Sequence, residues 1–381
     1  MEFSWSAEQL QLREAIIAFG RQALSDDLIA RDRNETFSRE LWTRCAEFGL
    51  IGLPFPVEYG GGGSDVLTTV LAMETLGYVC KDDGLSFGIN AQMWSVMMPI
   101  HRFGTPEQKE RYLTRLCSGE WIGAHGMSEP DSGSDAFSLR TTARLDGDSY
   151  VLNGTKTFVS NAPVADVFVV FTTVDRSLGS LGLTAFLVER DTPGFRVGRP
   201  LEKMGLRTSL MAELIFEDCR VPVKNRIGRE GRAVGIFNDS MEWERSCILA
   251  PCLGGIQRQL ESGSAYARER EQFGQSIGKF ASVSQRLVAM KVRLEIGRLA
   301  LYRAAWLKMN GQPASEAAAI AKLYVSDAWT QTCIDAIQLR GGYGFMTDYE
   351  VERDLRNAIG STLYSGTSDI QRALIARSLG F

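Results

Sequence analysis

The hydrophobic positions in the first third of the chain repeat at the spacing of amphipathic helices. Leu12 and Ile16 fall on one helical face near the start of the chain. The same pattern predicts further helices over residues 67–77 and 106–117. Residues 1–120 are therefore expected to form an N-terminal helical domain.

From about residue 121 to residue 228 the pattern changes to short runs of β-branched and aromatic residues. Asp146-Gly147 and Asn153-Gly154 are dipeptides typical of hairpin turns, so a turn is predicted at each of them. The runs that predict strands are residues 150–152, 167–171, 184–188 and 214–216. This texture indicates a central β domain over residues 121–228.

Helical spacing returns after residue 229. Val283, Leu287, Met290 and Leu294 repeat along one stripe, and a further helix is predicted over residues 317–329. Residues 229–381 are expected to form a C-terminal helical domain. The order of helices, then strands, then helices predicts an α+β fold.

Composition and charge narrow the classes of function. The chain has 381 residues, of which 44% are apolar, and a net charge of -4, which argues against disorder and against nucleic acid or a membrane as the main partner. With only His101 and His125, a histidine-based zinc site or a Ser-His-Asp triad is not expected.

Localisation is predicted from the cysteines and the N-terminus. The seven cysteines include no CxxC pair, as is typical of a reducing cytoplasm. Residues 1–5 show no basic region followed by an apolar run, so no signal peptide is expected, and no segment approaches the roughly 20 apolar residues of a membrane helix. A cytoplasmic protein is predicted.

Four polar or glycine-containing segments are candidates for chemistry. Taken singly, each has a plain structural explanation: a connector, a hairpin, a solvated helix end and a turn. The last does not follow a predicted strand, so a nicotinamide site is not predicted. The segments are MSEPDSGSD at 127–135, NGTKTFVSN at 153–161, REREQFG at 268–274 and QLRGGYGF at 338–345.

Taken in order, and together with IGSTLYSGTSDIQR at 359–372, these segments resemble the acyl-CoA dehydrogenase family, flavoenzymes that desaturate thioesters. The resemblance implies an N-terminal helical domain, a central β-barrel-like domain and a C-terminal four-helix bundle. It also implies a homotetramer that binds FAD, with Arg270 and Phe273 reaching the FAD of a neighbouring subunit. The chain departs from the family at Ala281, where members usually carry glutamine.

The implied FAD contacts follow residue by residue from the matched motifs. Hydroxyl groups suit a buried flavin because an unpaired buried polar group costs roughly 1–3 kcal/mol. An arginine suits a pyrophosphate because its planar fork can bond two oxygens at once. Phe158 and Ser160 lie two apart on a predicted strand and would share one face. The implied contacts are Met127, Ser128, Ser134, Phe158, Ser160, Arg270, Phe273, Gln338, Gly342, Thr367 and Asp369.

The resemblance places Ser365 where many family members carry the catalytic glutamate. The backbone N–H of Ser365 can still stabilise a thioester oxyanion. Glu244, directly before Arg245, matches the helix position used by members that lack the loop glutamate. A helix carboxylate in this context could also be an exposed charge paired with lysine or arginine. Glu242 is a rival base, but it lies on another side of the helix.

Three tracts look most like the prolyl carrier-protein dehydrogenases and oxidases of natural-product biosynthesis: residues 161–166, 240–245 and 364–369. By this resemblance the partner is an acyl or peptidyl carrier protein bearing a phosphopantetheine-linked prolyl group, and the product is a pyrroline or pyrrole thioester. Met241, Arg245 and Tyr364 would line the substrate pocket. Two alternatives stay open: a dehydrogenase of acyl-CoA or another acyl carrier, and an inactive FAD-binding scaffold.

Overall fold

The computed structural model describes residues 4–381. Met1 to Phe3, which form part of the segment expected to lack a signal peptide, lie outside the described residues. The N-terminal helices are α1 (Ala7–Ala23), α2 (Leu28–Arg33), α3 (Arg39–Glu47), α4 (Val66–Val79), α5 (Asp83–Ala91), α6 (Met98–Phe103), α7 (Pro106–Gln108) and α8 (Thr114–Cys117). The helix predicted over residues 67–77 is confirmed by α4. The helix predicted over residues 106–117 is confirmed as α7 and α8, joined by the π-helical turn Lys109–Leu113.

Two local features shape the N-terminal helices. Ser6 begins α1 through a capping box with Gln9, and Ile16 of the predicted apolar face is fully buried. A buried π-helical turn, Gln92–Met97, joins α5 to α6. Such turns occur often at functional sites because the extra residue re-aims the side chains of one turn.

The middle of the chain forms one sheet. Its strands pair in the order β6-β7-β3-β2-β4-β5-β8, and β1 runs parallel to β4. All seven strand residues of β4 are buried, so the sheet is covered on both faces at its centre. The strands are β1 (Gly123–Gly126), β2 (Thr142–Asp146), β3 (Ser149–Ser160), β4 (Val167–Thr173), β5 (Leu183–Glu189), β6 (Phe195–Val197), β7 (Met211–Pro222) and β8 (Arg226–Ile227).

One of the two predicted hairpin turns is wrong. Asp146-Gly147 does turn between β2 and β3, with Gly147 at φ 66°. Asn153-Gly154, however, lies inside β3, where the pairing with β7 shifts register. A Cβ at Gly154 would stand 2.6 Å from Oγ1 of Thr141, so the glycine serves a close approach within the sheet.

The C-terminal part returns to helices, and α10, α11 and α12 pack against one another. Met290 and Leu294 of the predicted stripe are buried in α11. None of the helices within residues 4–381 has the length and apolarity needed to cross a membrane. The elements are α9 (Ala233–Cys247), α10 (Ala250–Glu269), the short strands β9 (Glu271–Gln272) and β10 (Gln275–Ser276), α11 (Ala281–Met309), α12 (Ser315–Arg340), α13 (Val351–Ser361) and α14 (Ser368–Ser378).

Two glycines set how closely α10 approaches the N-terminal helices. A Cβ at Gly254 of α10 would lie 2.0 Å from the carbonyl oxygen of Glu74 in α4. A Cβ at Gly77 of α4 would lie 2.1 Å from the carbonyl oxygen of Pro251. The two helix backbones are therefore in contact, which ties the first helical layer to the C-terminal one.

Candidate active site

Glu244 lies inside the protein, on the buried face of α9. Ile236, Ser240, Glu244 and Cys247 are all buried, at the spacing of one helical face. The side chain of Glu244 is only 7% exposed. This burial excludes the alternative of an exposed surface charge for this residue.

Two serine hydroxyls hold the two oxygens of this carboxylate. Ser95 donates to Oε2 from the π-helical turn, and Ser365 donates to Oε1 from the loop before α14. Ser365 has φ 59°, in the left-handed region that non-glycine residues rarely occupy. Residues from three distant parts of the chain thus meet at one carboxylate.

The electrostatic setting makes Glu244 a stronger base than an exposed glutamate. Burial raises its pKa above the ordinary value, while the bonds from Ser365 and Ser95 and the charges of Arg245 and Lys322 oppose the rise. Lys322 is fully buried on α12, and its Nζ has no hydrogen-bond partner among residues 4–381. Burial lowers the pKa of Lys322 to about 8.

The loop that carries Ser365 is fixed through its carbonyl oxygens. Arg245 donates from Nε to the carbonyl oxygen of Ser365 at 3.1 Å, and Gln371 donates to the same oxygen at 3.2 Å. The N–H of Ser365 donates to no acceptor in the part of the chain that the structure describes. That N–H is therefore available to an oxyanion.

The other predicted pocket residues lie around this centre. Met241 is buried one turn before Glu244. The ring of Tyr364 packs 4.6 Å from the ring of Phe87, measured between centroids. Glu242, the rival base, forms a 2.7 Å ion pair with Lys308, so its carboxylate already has a cationic partner.

The first two cofactor motifs lie side by side. The N–H of Thr157 donates to the carbonyl oxygen of Ser128 at 2.9 Å. Lys156 forms a fully buried 2.6 Å ion pair with Glu129, and it also donates to the carbonyl oxygen of Met127. This buried pair fixes the end of β1 against β3.

The donor set at this junction fits FAD. The hydroxyls of Ser128, Ser134 and Ser160 make no hydrogen bond within the chain from residue 4 onward, so they are free to bond flavin and phosphate oxygens. Phe158 is 66% exposed and can stack on a flat ring system. Its φ of 56° and a register shift after Lys156 interrupt the strand, so the argument that Phe158 and Ser160 share a regular strand face does not hold.

The remaining cofactor candidates fall into two groups. Arg270 lies at the far end of α10, about 30 Å along that helix from the α9 end, and its guanidinium lies 5.7 Å from the ring centre of Tyr343. Phe273 is 93% exposed, and Gln338 and Gly342 are exposed as well. The structure does not bring this group to Glu244 within one chain.

The second group lies near Ser365. Thr367 caps α14 by accepting from the N–H of Ile370 at 3.3 Å. Asp369 lies in the first turn of that helix and pairs with Arg372 at 2.8 Å.

Ser95 and Lys322 were not predicted. Ser95 is one serine within a buried helical segment, and no motif singles it out. Lys322 carried a usable signal, because a lysine on the alanine-rich face of α12 shares that face with the buried Ala318 and Val325.

Comparison with known proteins gives consistent matches along the chain. Residues 6–120, 124–219 and 233–380 match the N-terminal, middle and C-terminal domains of acyl-CoA dehydrogenases. The chain is 42% identical to the L-prolyl-[peptidyl-carrier protein] dehydrogenase of Pseudomonas fluorescens, with all of each chain covered.

Solved structures agree with this match. The prolyl acyl carrier protein oxidase AnaB superposes with a TM-score of 0.98 at 51% identity, covering 99% of this chain and 100% of that one. PigA, solved with FAD and proline, superposes with a TM-score of 0.97 at 40% identity, covering 100% and 99%.

Proposed function

This chain belongs to the acyl-CoA dehydrogenase family, and from that premise we propose that it is an FAD-dependent enzyme oxidising a prolyl thioester on an acyl or peptidyl carrier protein. The product would be a pyrroline or pyrrole thioester. The observation that carries this proposal is the buried carboxylate of Glu244, which accepts a hydrogen bond from the hydroxyl of Ser365.

The similarity to proteins that act on prolyl carrier proteins supports the choice of substrate. The Pseudomonas relative and AnaB are both named for a carrier-bound prolyl group. The serine at position 365 leaves more room beside Glu244 than a glutamate would, which is compatible with a ring. FAD, when bound, supplies the hydride acceptor for the oxidation.

Three residues of the chain then have distinct roles in the reaction. Glu244 accepts the α-proton of the thioester, since its raised pKa makes it a better proton acceptor. The N–H of Ser365 hydrogen-bonds the thioester oxygen, on which negative charge develops as the proton leaves. Arg245 holds that N–H in place through the carbonyl of the same residue.

We also propose a homotetramer in the cytoplasm. Exposed apolar residues on one side of α11, among them Val288, Val292 and Leu299, support an interface with another copy. Arg270 and Phe273 would then contact the FAD of a neighbouring subunit.

The proposed cytoplasmic location is supported by the seven cysteines, which are free thiols, as in a reducing compartment. The domain limits after residues 120 and 228 stay a prediction.

The test is Glu244→Gln assayed with a prolyl-loaded peptidyl carrier protein. Turnover should fall by about 10²–10⁴-fold, because the amide cannot accept the proton. The bound FAD, measured by absorbance after gel filtration, should be unchanged. Mass spectrometry of the carrier before and after incubation gives the mass lost.

Glu242→Gln is the matched control, two residues away on the same helix. It removes the ion pair with Lys308 but leaves Glu244 in place, so turnover should be largely kept.

Full turnover by Glu244→Gln would refute the assignment of Glu244 as the base. If the wild-type protein holds FAD but no thioester bleaches it under anaerobic conditions, the inactive scaffold is the better description. Faster turnover of acyl-CoA than of the prolyl carrier would indicate an acyl-CoA dehydrogenase.

A further inference from the structure

An exposed basic and apolar patch lies at the N-terminal end of the helix that carries Glu244. We call it the docking patch, and it consists of Arg176, Leu178, Leu181, Arg229 and Arg232. Leu178 and Leu181 are 52% and 63% exposed. Two large apolar side chains among free cations are unusual on a surface that has only water to meet.

The patch is one surface although its residues come from two segments. Residues 176–182 connect β4 to β5 through short 3-10 turns interrupted at Gly179, and Gly231 lies between Arg229 and Arg232 just before α9. A Cβ at Gly231 would stand 2.5 Å from the carbonyl oxygen of Leu181. The N–H of Gly231 also donates to Thr184 at 3.0 Å. The two segments are therefore in direct contact.

The arginines of the patch have no side-chain partner in the protein itself. All three are exposed, and none forms an ion pair or side-chain hydrogen bond with any residue from 4 to 381. Two acidic residues adjoin them in sequence, but both have other partners: Asp175 accepts from the N–H and hydroxyl of Ser177, and Glu230 accepts from Tyr150 and pairs with Arg226. The three guanidinium groups are thus left without a bonded carboxylate on a chain whose net charge is -4.

The distance to the candidate base suits a tethered substrate. Arg232 is the N-cap of α9 and Glu244 lies twelve residues further along the helix, a rise of about 18 Å. An extended phosphopantetheine arm spans a comparable length. A carrier seated on the patch could therefore place its thioester at Glu244.

We propose that the docking patch binds the carrier protein that delivers the thioester, with the arginines facing the arm's phosphodiester and the acidic surface around it, and the leucines in apolar contact. This inference rests on the proposed function. Free phosphodiester and carboxylate groups complement unpaired arginines, and the exposed leucines supply what a small anion alone would not need. Steering by the arginines would act mainly on association and hence on KM.

The experiment compares two prolyl thioesters of different size. One is prolyl-phosphopantetheine on a discrete peptidyl carrier protein, and the other is prolyl-pantetheine, which has no carrier. The double variant Arg229→Glu/Arg232→Glu should raise KM for the carrier-bound substrate by at least about tenfold. KM for prolyl-pantetheine, kcat and FAD content should stay within about twofold of the wild type, since no reacting group is touched.

Two further variants sharpen the result. Leu181→Asp should also raise KM for the carrier alone, because it removes the apolar contact. Arg21→Glu/Arg33→Glu is the charge-matched control, because these two exposed arginines lie at the ends of α1 and α2, away from α9. It should leave both KM values unchanged. Added NaCl should weaken carrier use by the wild type more than by the double variant.

Several outcomes would overturn the docking patch. An unchanged carrier KM in the double variant, or an equal rise for both substrates, contradicts it. A rise for prolyl-CoA without one for the carrier would assign the arginines to nucleotide phosphates instead. If the wild type oxidises neither substrate, the proposed function fails. The patch is then judged by direct binding of the phosphopantetheine-bearing carrier, which the double variant should weaken by about tenfold.

Discussion

Ser365 donates its hydroxyl to Glu244, a residue 121 positions earlier in the chain. The loop position at which many family members carry a glutamate therefore still contacts the carboxylate, but as a donor. A hydrogen bond to the charged form of a carboxylate favours that form, so Ser365 works against the effect of burial. With Ser95 on the other oxygen, it sets both the orientation and the pKa of Glu244.

Removal of either hydroxyl should move the pH dependence of the enzyme. Ser365→Ala leaves one carboxylate oxygen without its donor, and a hydrogen bond to a charged group is worth about 1.5–3 kcal/mol. The pKa of Glu244 should therefore rise further above its ordinary value, because burial is then opposed by one hydrogen bond fewer. The acid limb of kcat/KM should shift to higher pH, with activity lost at low pH and recovered at high pH.

Ser95→Ala should shift the same limb in the same direction, and the double variant should shift it further. Ser246→Ala is the control, because its hydroxyl donates to the carbonyl oxygen of Glu242 on the same helix. A loss of activity that is equal at every pH would show that the serines shape the pocket without tuning the base.

The order of elements could be predicted because each depends on local spacing. The helices over residues 67–77 and 317–329 and the strand over residues 167–171 are all present, with longer bounds. The failure at Asn153-Gly154 has a non-local cause, since its glycine is required by Thr141 on a neighbouring segment. Dipeptide statistics carry no information about such an approach.

The candidate site divides in the same way. Glu244 and Ser365 could be found because both lie in recognisable motifs. Ser95 could not, because its importance comes from a contact across 149 positions and from a π-helical turn that no sequence spacing revealed. The pairing of Glu129 with Lys156 was likewise invisible until β1 and β3 were placed together.

Lys322 should destabilise the folded protein at neutral pH. Its pKa is about 8 in the folded state against an ordinary 10.5, so between these values the unfolded chain binds more protons. The free energy of unfolding therefore rises with pH across that window. Below pH 8 the destabilisation of the folded state by the buried, charged Lys322 is fully present. Lys322→Met should raise the free energy of unfolding at pH 7 by up to about 3 kcal/mol.

Urea unfolding at pH 7 and pH 10 measures this effect, and the gain of the variant over the wild type should be large at pH 7 and small at pH 10. Lys291→Met is the control, because that exposed lysine forms only an i,i+4 pair with Glu295 and should change stability by about 0.5 kcal/mol or less. If Lys322→Met is less stable than the wild type at pH 7, the ammonium group of Lys322 is stabilised by its surroundings and does not destabilise the fold.

Arg270→Leu should weaken FAD binding without unfolding the protein. Arg270 is exposed and makes no ion pair within the described chain, so its loss removes the contact to the cofactor and, within the chain, the cation–π contact with Tyr343. A charge-assisted hydrogen bond of about 1.5–3 kcal/mol corresponds to a 10- to 100-fold weaker Kd. Fluorescence titration with FAD measures it. Arg268→Leu, two residues earlier and also exposed, should bind FAD normally, and equal losses in both variants would contradict the assignment.

The contact between α4 and α10 should tolerate no added methyl group. Gly254→Ala places a Cβ 2.0 Å from the carbonyl oxygen of Glu74, so one helix must move and the free energy of unfolding should fall by about 2 kcal/mol or more. Gly235→Ala, in α9, meets nothing within 4 Å and should instead gain about 1 kcal/mol from helix propensity. Opposite signs in thermal unfolding support the close crossing. A neutral Gly254→Ala would mean that the two backbones lie further apart, and that Glu74 does not fix the depth at which α10 sits.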